Sequence, residues 1–289
     1  MTGTRLRIAT CRPLPEPDPD ELPLAAALAA GGFSAELVAW DDPAADWDAP
    51  IPTILRSTWN YPLAIAAFLG WIDRASAAAL LINPPDVVRA NVHKRYLLAL
   101  AARGVPVVPT TLVERGQTAD LPAIAAAGGA PTVVIKPEVG AASYGARRFT
   151  PADPAALDHL AALTATGAAL VQPYVASVET YGERSLVWID GELTHAIRKA
   201  PRFAGGGERS EGPFAIAGDE RAVALAALAP VVDQILYARI DLARDAAGQP
   251  MVAELELVEP SLYFGHQPGT AARFVAGLRR YLDARPASS

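Results

Sequence analysis

The 289-residue chain carries 25 Lys and Arg against 31 Asp and Glu, a formal net charge of -6, and 51% of its residues are hydrophobic. That composition supports a sizeable core, excludes a disordered chain and argues against a general nucleic-acid surface. A single cysteine, Cys11, excludes an intramolecular disulfide and argues against a thiolate zinc or iron–sulfur site.

From the N-terminus, "RLRIAT" (Arg5–Thr10) reads as a strand. "DELPLAAALAAGG" follows as a helix, with Asp20 as N-cap and Gly31 and Gly32 as its stop. "SAELVAW" and "PTILRST" are the second and third strands, "LAIAAFLGWIDRAS" the second helix and "AALLINP" a fourth strand. Strands interleaved with helices predict a parallel sheet over residues 1–88, with a site at the strand C-termini. The loop "LRSTWNYP" places Arg56, Ser57, Thr58, Trp59, Asn60 and Tyr61 there. Arg56 suits a bidentate grip on a substrate carboxylate, with a strand-end salt bridge as the alternative. Trp59 and Tyr61 either wall a pocket or pack into the core.

"DVVRANVHKRYLLALAARG" (Asp86–Gly104) reads as one helix that carries Lys94 and is closed by Gly104. An extended "VPVVPTTLVERG" and a helix near Leu121–Ala127 lead to "VVIKPEVGAASYGARRF" (Val133–Phe149). Here an apolar strand ends in Lys136, followed by Gly140, Ala141, Ala142, Ser143 and Gly145. A lysine ending a buried strand needs an anionic partner, and small residues let backbone N–H groups approach phosphate oxygens. The alternative is a plain hairpin turn with a surface lysine. "PADPAALDHLAALTATG" is a helix with Pro154 near its start, and "AALVQPYV" a strand broken by Pro173, completing a small lobe over residues 89–171.

The remainder, residues 172–289, opens with "RSLVWIDGELTHAIRK", whose Asp190–Gly191 pair signals a hairpin. The Gly-rich loop "PRFAGGGERSEGP", a long helix "DERAVALAALAPVVDQILYA" spanning Pro230, a second hairpin "RIDLARDAAGQPMVAELELVEP" and a final helix "TAARFVAGLRRYL" follow. His195 reads as structural. In "AELELVEP", Glu254 and Glu256 share one strand face. With Ala246–Gln249 as the turn, Asp245 lies opposite Pro250 and Asp241 opposite Glu254, on the same face. Three carboxylates gathered in this way suit Mg²⁺ shared with substrate phosphates. The alternative is a solvated outer face, and a one-residue slip would undo the placement.

Taken in order, these pieces resemble the ATP-grasp superfamily. Lys94 precedes "GVPVVPT", Lys136–Pro137 precede the small-residue loop, and "VQPYV", "GERS", Asp241 and the Glu-x-Glu of "AELELVEP" follow, over roughly residues 88–265. The resemblance implies an α/β ATP-grasp fold: an N-terminal parallel α/β lobe (1–88), then two α+β lobes (89–171 and 172–289) that clasp ATP. It implies that Lys94 and Lys136 contact ATP phosphates and that the loop of Gly140, Ser143 and Gly145 closes over them. It further implies Gln172 and Val175 at adenine, Glu179 or Glu183 at ribose, and Asp241, Glu254 and Glu256 on two Mg²⁺ ions.

Within the superfamily the chain is similar to small ligases of the glutathione-synthetase and RimK type. "LRSTWNYP", "HAIRKAP" and "ELELVEPSLYF" resemble more closely the cyclo-ligases that close O-ureidoserine to cycloserine. A departure lies in the Gly-rich loop, where Gly-Gly-Gly-Glu-Arg-Ser-Glu replaces the Gly-Asp-Phe-Arg pattern of that group. The implied activity is an ATP- and Mg²⁺-dependent ligase that activates a small-molecule carboxylate as an acylphosphate for attack by an amine-type nucleophile. The alternatives are an ATP-grasp kinase and a non-catalytic nucleotide-binding protein. Arg198, Lys199 and Arg209 are the candidates for stabilising the transferring phosphoryl group, against a solvated basic rim. Arg56, Ser57, Thr58, Trp59 and Asn60 are the candidate substrate residues. The N-terminus lacks the apolar stretch of a signal peptide and no run reaches membrane-spanning length, so a cytoplasmic protein is expected, with no membrane or nucleic-acid partner. The apolar balance permits a homodimer.

Overall fold

The computed structural model describes residues 3–141, 144–200 and 209–285. Its strands form three sheets. The first contains β1 (Thr4–Thr10), β2 (Phe33–Ala39), β3 (Thr53–Leu55) and β4 (Leu81–Ile82), in the order β2-β1-β3-β4 and parallel throughout. Helices α1 (Glu21–Ala30) and α2 (Ile65–Ala78) supply crossovers, as the alternation of strands and helices predicts. The fourth strand is only two residues long. Asp20 occupies the N-cap position of α1 but makes no side-chain cap bond, because its carboxylate is used elsewhere.

The single helix expected over Asp86–Gly104 is instead two, α3 (Pro85–Asn91) and α4 (Tyr96–Ala102). Lys94 lies in the turn between them and its N–H donates to the Glu138 carbonyl at 2.9 Å. Tertiary bonding here wins over local helix propensity.

The second sheet is antiparallel and contains β5 (Thr111–Val113), β6 (Val133–Pro137), β7 (Arg147–Phe149) and β8 (Ala169–Pro173), in the order β5-β8-β6-β7. Two helices cover it, α5 (Leu121–Ala127) and α6 (Pro154–Thr164). Each starts with a proline in its first turn behind an aspartate, Asp120 or Asp153, that accepts a backbone N–H.

After the short α7 (Ser177–Thr180) comes the third sheet: β9 (Glu183–Ile189), β10 (Glu192–Lys199), β11 (Ser210–Phe214), β12 (Tyr237–Arg244) and β13 (Pro250–Glu256). Its order is β11-β10-β9-β12-β13, all antiparallel. Asp190 and Gly191 both have positive φ (48° and 82°), the conformation of a two-residue type I′ turn. Two expectations change here. Helix α8 (Gly218–Leu228) stops before Pro230, since proline lacks an N–H and its ring restricts the preceding residue. "SEGPF", read as loop, forms β11.

Helix α9 (Thr270–Asp283) returns to the first sheet. Phe274 and Leu278 share a buried cluster with Leu6, Leu24, Leu28 and Phe33, and with Tyr237 of β12. Among the described residues no helix is long and apolar enough to cross a membrane.

Candidate active site

A cavity of about 400 Å³ opens where the three sheets meet. Trp59 and Tyr61 line it from the first sheet's loop, Lys94 and Tyr96 from the α3–α4 turn, and Lys136, Gly140, Gln172 and Val175 from the second sheet. Glu183, Lys199, Arg239, Glu254, Glu256 and Glu259 line it from the third.

Strand pairing fixes the acidic wall. Arg244, not Asp245, lies opposite Pro250, so the turn is one residue tighter than the sequence count supposes. The Asp245 N–H closes it on the Gln249 carbonyl at 2.9 Å. A bulge then intervenes: Leu242 pairs with Val252, but Asp241 pairs with Glu254, leaving Ala253 as the extra residue. The two one-residue shifts cancel. Asp241 therefore faces Glu254 as expected, and Arg239 faces Glu256.

Cations thread this wall. Lys94 Nζ and Lys136 Nζ each bond one oxygen of Glu254, at 2.9 and 2.8 Å. Arg239 grips Asp241 through two bonds of 2.9 and 3.0 Å and reaches Glu256 at 2.5 Å. Lys199 Nζ bridges Asp241 (2.7 Å) and Glu183 (2.5 Å). Burial would raise the pKa of Glu254, but Lys136 and Lys94 hold it well below the carboxylate range. Arg239 and Lys199 do the same for buried Asp241. Burial would depress Lys94, and Glu254 lifts it above the ordinary lysine value. The balance fails at three residues, and at Glu183 burial outweighs Lys199 and raises the carboxyl above the ordinary glutamate value. Burial, with Asp241 and Glu254 nearby, outweighs Arg239 and raises Glu256 to about 7. Burial and then Glu256 raise Glu259 to about 8.

This surplus of buried carboxylate bears on a metal. Among the described residues no three His, Cys, Asp or Glu side chains converge as a cage. Mg²⁺ needs none, since one or two carboxylates with phosphate oxygens and water complete its shell. Glu254 and Glu256 fit that role, because both line the cavity and Glu256 is under-compensated. Asp241 lies behind them, 1% exposed, with its oxygens taken by Arg239 and Lys199.

Several candidate residues fall outside the cavity. Arg56 is 1% exposed and bonds Asp20 Oδ2 (2.9 Å) and the Pro260 carbonyl (2.8 Å). A guanidinium buried this deeply needs its own anion, and Asp20 supplies it, so no charge is left to grip a substrate. The Ser57 hydroxyl pairs with that of Thr10 at 2.9 Å, and Thr58 is buried. Asn60 accepts from Trp40 Nε1 (2.7 Å) and donates to Asp41 (2.6 Å). Arg198 points away from Lys199, as strand neighbours must, and pairs with Glu211 on the outside. Arg209 is exposed and does not line the cavity. Glu179 sits on Arg148 (2.6 Å) and the Tyr174 hydroxyl (3.0 Å), apart from the cavity that Glu183 lines. Gln172 donates to the Thr110 hydroxyl at 2.8 Å. Gly145 has φ 68° and its carbonyl meets His159. Ser143 and the Gly205–Gly207 loop lie outside the described residues. Arg239, Tyr96 and Glu259 went unread in the sequence, although Arg239 stands two residues before Asp241 and so shares its face.

Comparison with known proteins places this geometry. Residues 6–83 match the family model described as the N-terminal domain of D-cycloserine synthetase DcsG. The cycloserine biosynthesis protein DcsG of Streptomyces lavendulae is 38% identical over 284 residues, covering 92% of this chain and 94% of that one. The crystal structure of D-cycloserine synthetase DcsG superposes with a TM-score of 0.87 at 36% identity, over 96% of this chain and 99% of that one. The ATP-grasp ligase PsnB, with a TM-score of 0.64 at 18% identity over 96% and 99% of the two chains, shares the fold.

Proposed function

The chain belongs to the DcsG family of ATP-grasp ligases, and we propose that it activates the carboxylate of a small amino-acid derivative with ATP and closes it by an intramolecular C–N bond. O-Ureidoserine, with cycloserine as product, is the substrate to test first, which would place the enzyme in antibiotic biosynthesis. The observation that carries this reading is the convergence of Lys94 and Lys136, from separate segments, on Glu254 inside one cavity.

On this reading the lysines exchange Glu254 for ATP phosphate oxygens, and Glu254 and Glu256 hold Mg²⁺. Mg²⁺, when bound, would neutralise the phosphates. Gly140 would let the small-residue loop approach them, Gln172 and Val175 would meet adenine, and Glu183 would take the ribose. A substrate carboxylate oxygen attacks the γ-phosphorus and ADP departs. A substrate nitrogen then attacks the acyl carbon, and phosphate and a proton are released; with O-ureidoserine the oxygen-bound ureido nitrogen attacks, and hydrolysis of its carbamoyl group to carbon dioxide and ammonia completes cycloserine. Lys199 and Arg239 stand where negative charge would move, which is the kind of fixed electrostatics such transfer needs. Residues 1–88, 89–171 and 172–289 are read as the substrate lobe and the two clasping lobes.

The test is release of ADP and phosphate with Mg²⁺–ATP and O-ureidoserine, beside product analysis. Wild type is expected to form the cyclised product with equimolar ADP. Lys136→Ala should lose at least a hundredfold in kcat/KM for ATP, about 3 kcal/mol. A stable phosphorylated substrate as end product would instead mark a kinase, and no Mg²⁺–ATP binding would overturn the reading.

A further inference from the structure

Glu259 stands apart among the acids of the cavity. Glu183, Glu254 and Glu256 each have a lysine or arginine partner, at 2.5 to 2.9 Å. Among the described residues Glu259 has no ion-pair partner, yet it is only 8% exposed. Its carboxylate senses Glu256, Lys94, Arg239 and the Tyr61 hydroxyl, groups that all line the cavity, so it faces the void. Its backbone is fixed: the Glu259 carbonyl accepts from Trp59 Nε1 at 3.0 Å, and the Pro260 carbonyl from Arg56 at 2.8 Å. A buried carboxylate without a cation is costly, and a ligand that brings one relieves the cost.

The surroundings favour an organic cation. No further acids converge on Glu259 to complete a metal cage among the described residues. Its neighbours Trp59 and Tyr61 offer aromatic surface and one hydroxyl, which suit an ammonium. We propose that Glu259 is a specificity residue that binds the free ammonium of an amino-acid substrate, with Tyr61 and Trp59 as the walls of that subsite. The proposal rests on the ligase reading above and narrows it. An amine held as ammonium has no lone pair and cannot attack the acylphosphate. A second nitrogen of the substrate must then form the new bond, and the first amine leaves the enzyme intact.

The experiment is calorimetric titration of the full chain, loaded with Mg²⁺ and a non-hydrolysable ATP analogue, with O-ureidoserine and its N-acetyl derivative. Wild type should bind the free amine at least tenfold more tightly. Glu259→Gln should weaken that binding about tenfold to a hundredfold, the range of a lost charge-assisted bond, and abolish the preference. Its affinity for the nucleotide analogue should stay within twofold. Tyr61→Phe, a second and gentler variant, should weaken amine binding a few-fold. Equal binding of the two forms by wild type, a preference retained in Glu259→Gln, or no binding of either form each overturns the proposal. ADP release measured in parallel separates the two readings. Amine binding through Glu259 without ADP release keeps the subsite and removes the ligase; ADP release indifferent to Glu259 does the reverse.

Discussion

Two residues beyond Lys136, Glu138 joins the segments that carry both cavity lysines. Its carbonyl accepts the Lys94 N–H and its own N–H donates to Ala168, each at 2.9 Å. Its carboxylate bonds Arg95 and lies 3.6 Å from His93 Nδ1. Burial pushes the Glu138 pKa up, but His93 and Arg95 outweigh it and hold the group at about 2, against 4.5 for an ordinary glutamate. The folded pKa is the lower one, so the native state binds fewer protons. The stabilisation is complete above the unfolded value and fades as pH falls from about 5 towards 2. Glu138→Gln is expected to cost about 1–3 kcal/mol at pH 7, the full shift being discounted because Arg95 is half exposed. Urea unfolding of both proteins at pH 7, 4, 3 and 2 should show the gap closing. A gap that stays constant would mean that Glu138 acts through packing and not charge. The sequence located Lys136 because a lysine ending an apolar strand is conspicuous. It was silent on Glu138, whose importance comes from partners on another element.

The sheet order leaves β13, which carries Glu254 and Glu256, at an edge. An edge strand exposes unpaired N–H and C=O groups. Here side chains close that edge. Asn91 donates to the Leu255 carbonyl at 2.9 Å and accepts from the Leu257 N–H at 2.8 Å. The Tyr96 hydroxyl takes the Leu255 N–H at 3.1 Å, and Asn83 donates to the Leu257 carbonyl at 2.8 Å. Main chain does the same upstream, where Val252 exchanges 2.9 Å bonds with Pro106 and Val108. Asn91→Leu keeps the shape but orphans a buried donor and acceptor, an expected loss of about 2–4 kcal/mol. It should also raise KM for ATP, because the two glutamates lose their fixed strand. A thermal melt with a nucleotide titration at a temperature where the variant is folded checks both. Unchanged nucleotide affinity would mean that β13 is held by its hairpin alone. Alternation in "AELEL" made the acidic face legible, since period two assigns faces directly. What borders the strand edge is set by residues some 160 positions away in sequence, and no local pattern reports it. The cancelled register shift makes the same point: counting reached the right pair by the wrong turn.

Seen as a whole molecule, the first and third sheets are joined at a buried charge. Asp20 is 0% and Arg56 1% exposed, and they pair at 2.9 Å. The same Asp20 carboxylate accepts the N–H groups of Leu262, Tyr263 and Phe264 at 2.5, 3.2 and 2.8 Å. One side chain near the N-terminus thus satisfies three donors of the segment leading into α9, and α9 completes the apolar cluster over β1 and α1. A reading along the chain separates residues 1–88 from 172–289, because hydrophobic periodicity does not reveal which distant elements share a core. Asp20→Ala would leave a buried guanidinium and three buried N–H groups unpaired. Removal of one partner from a buried pair typically costs about 3–5 kcal/mol, and the orphaned donors add to it. Since the two sheets share that core, the loss should appear as one cooperative transition shifted to lower temperature. Two local probes can follow it in wild type and variant. Trp40, Trp47 and Trp71 cluster beside the first sheet, while Trp188 lies in β9. Fluorescence of a Trp188→Phe background, which reports Trp59 and the cluster, should melt together with far-ultraviolet circular dichroism. If Asp20→Ala releases the tryptophan cluster while the third sheet stays folded, the two sheets are separate folding units and the Asp20 clamp only tethers them.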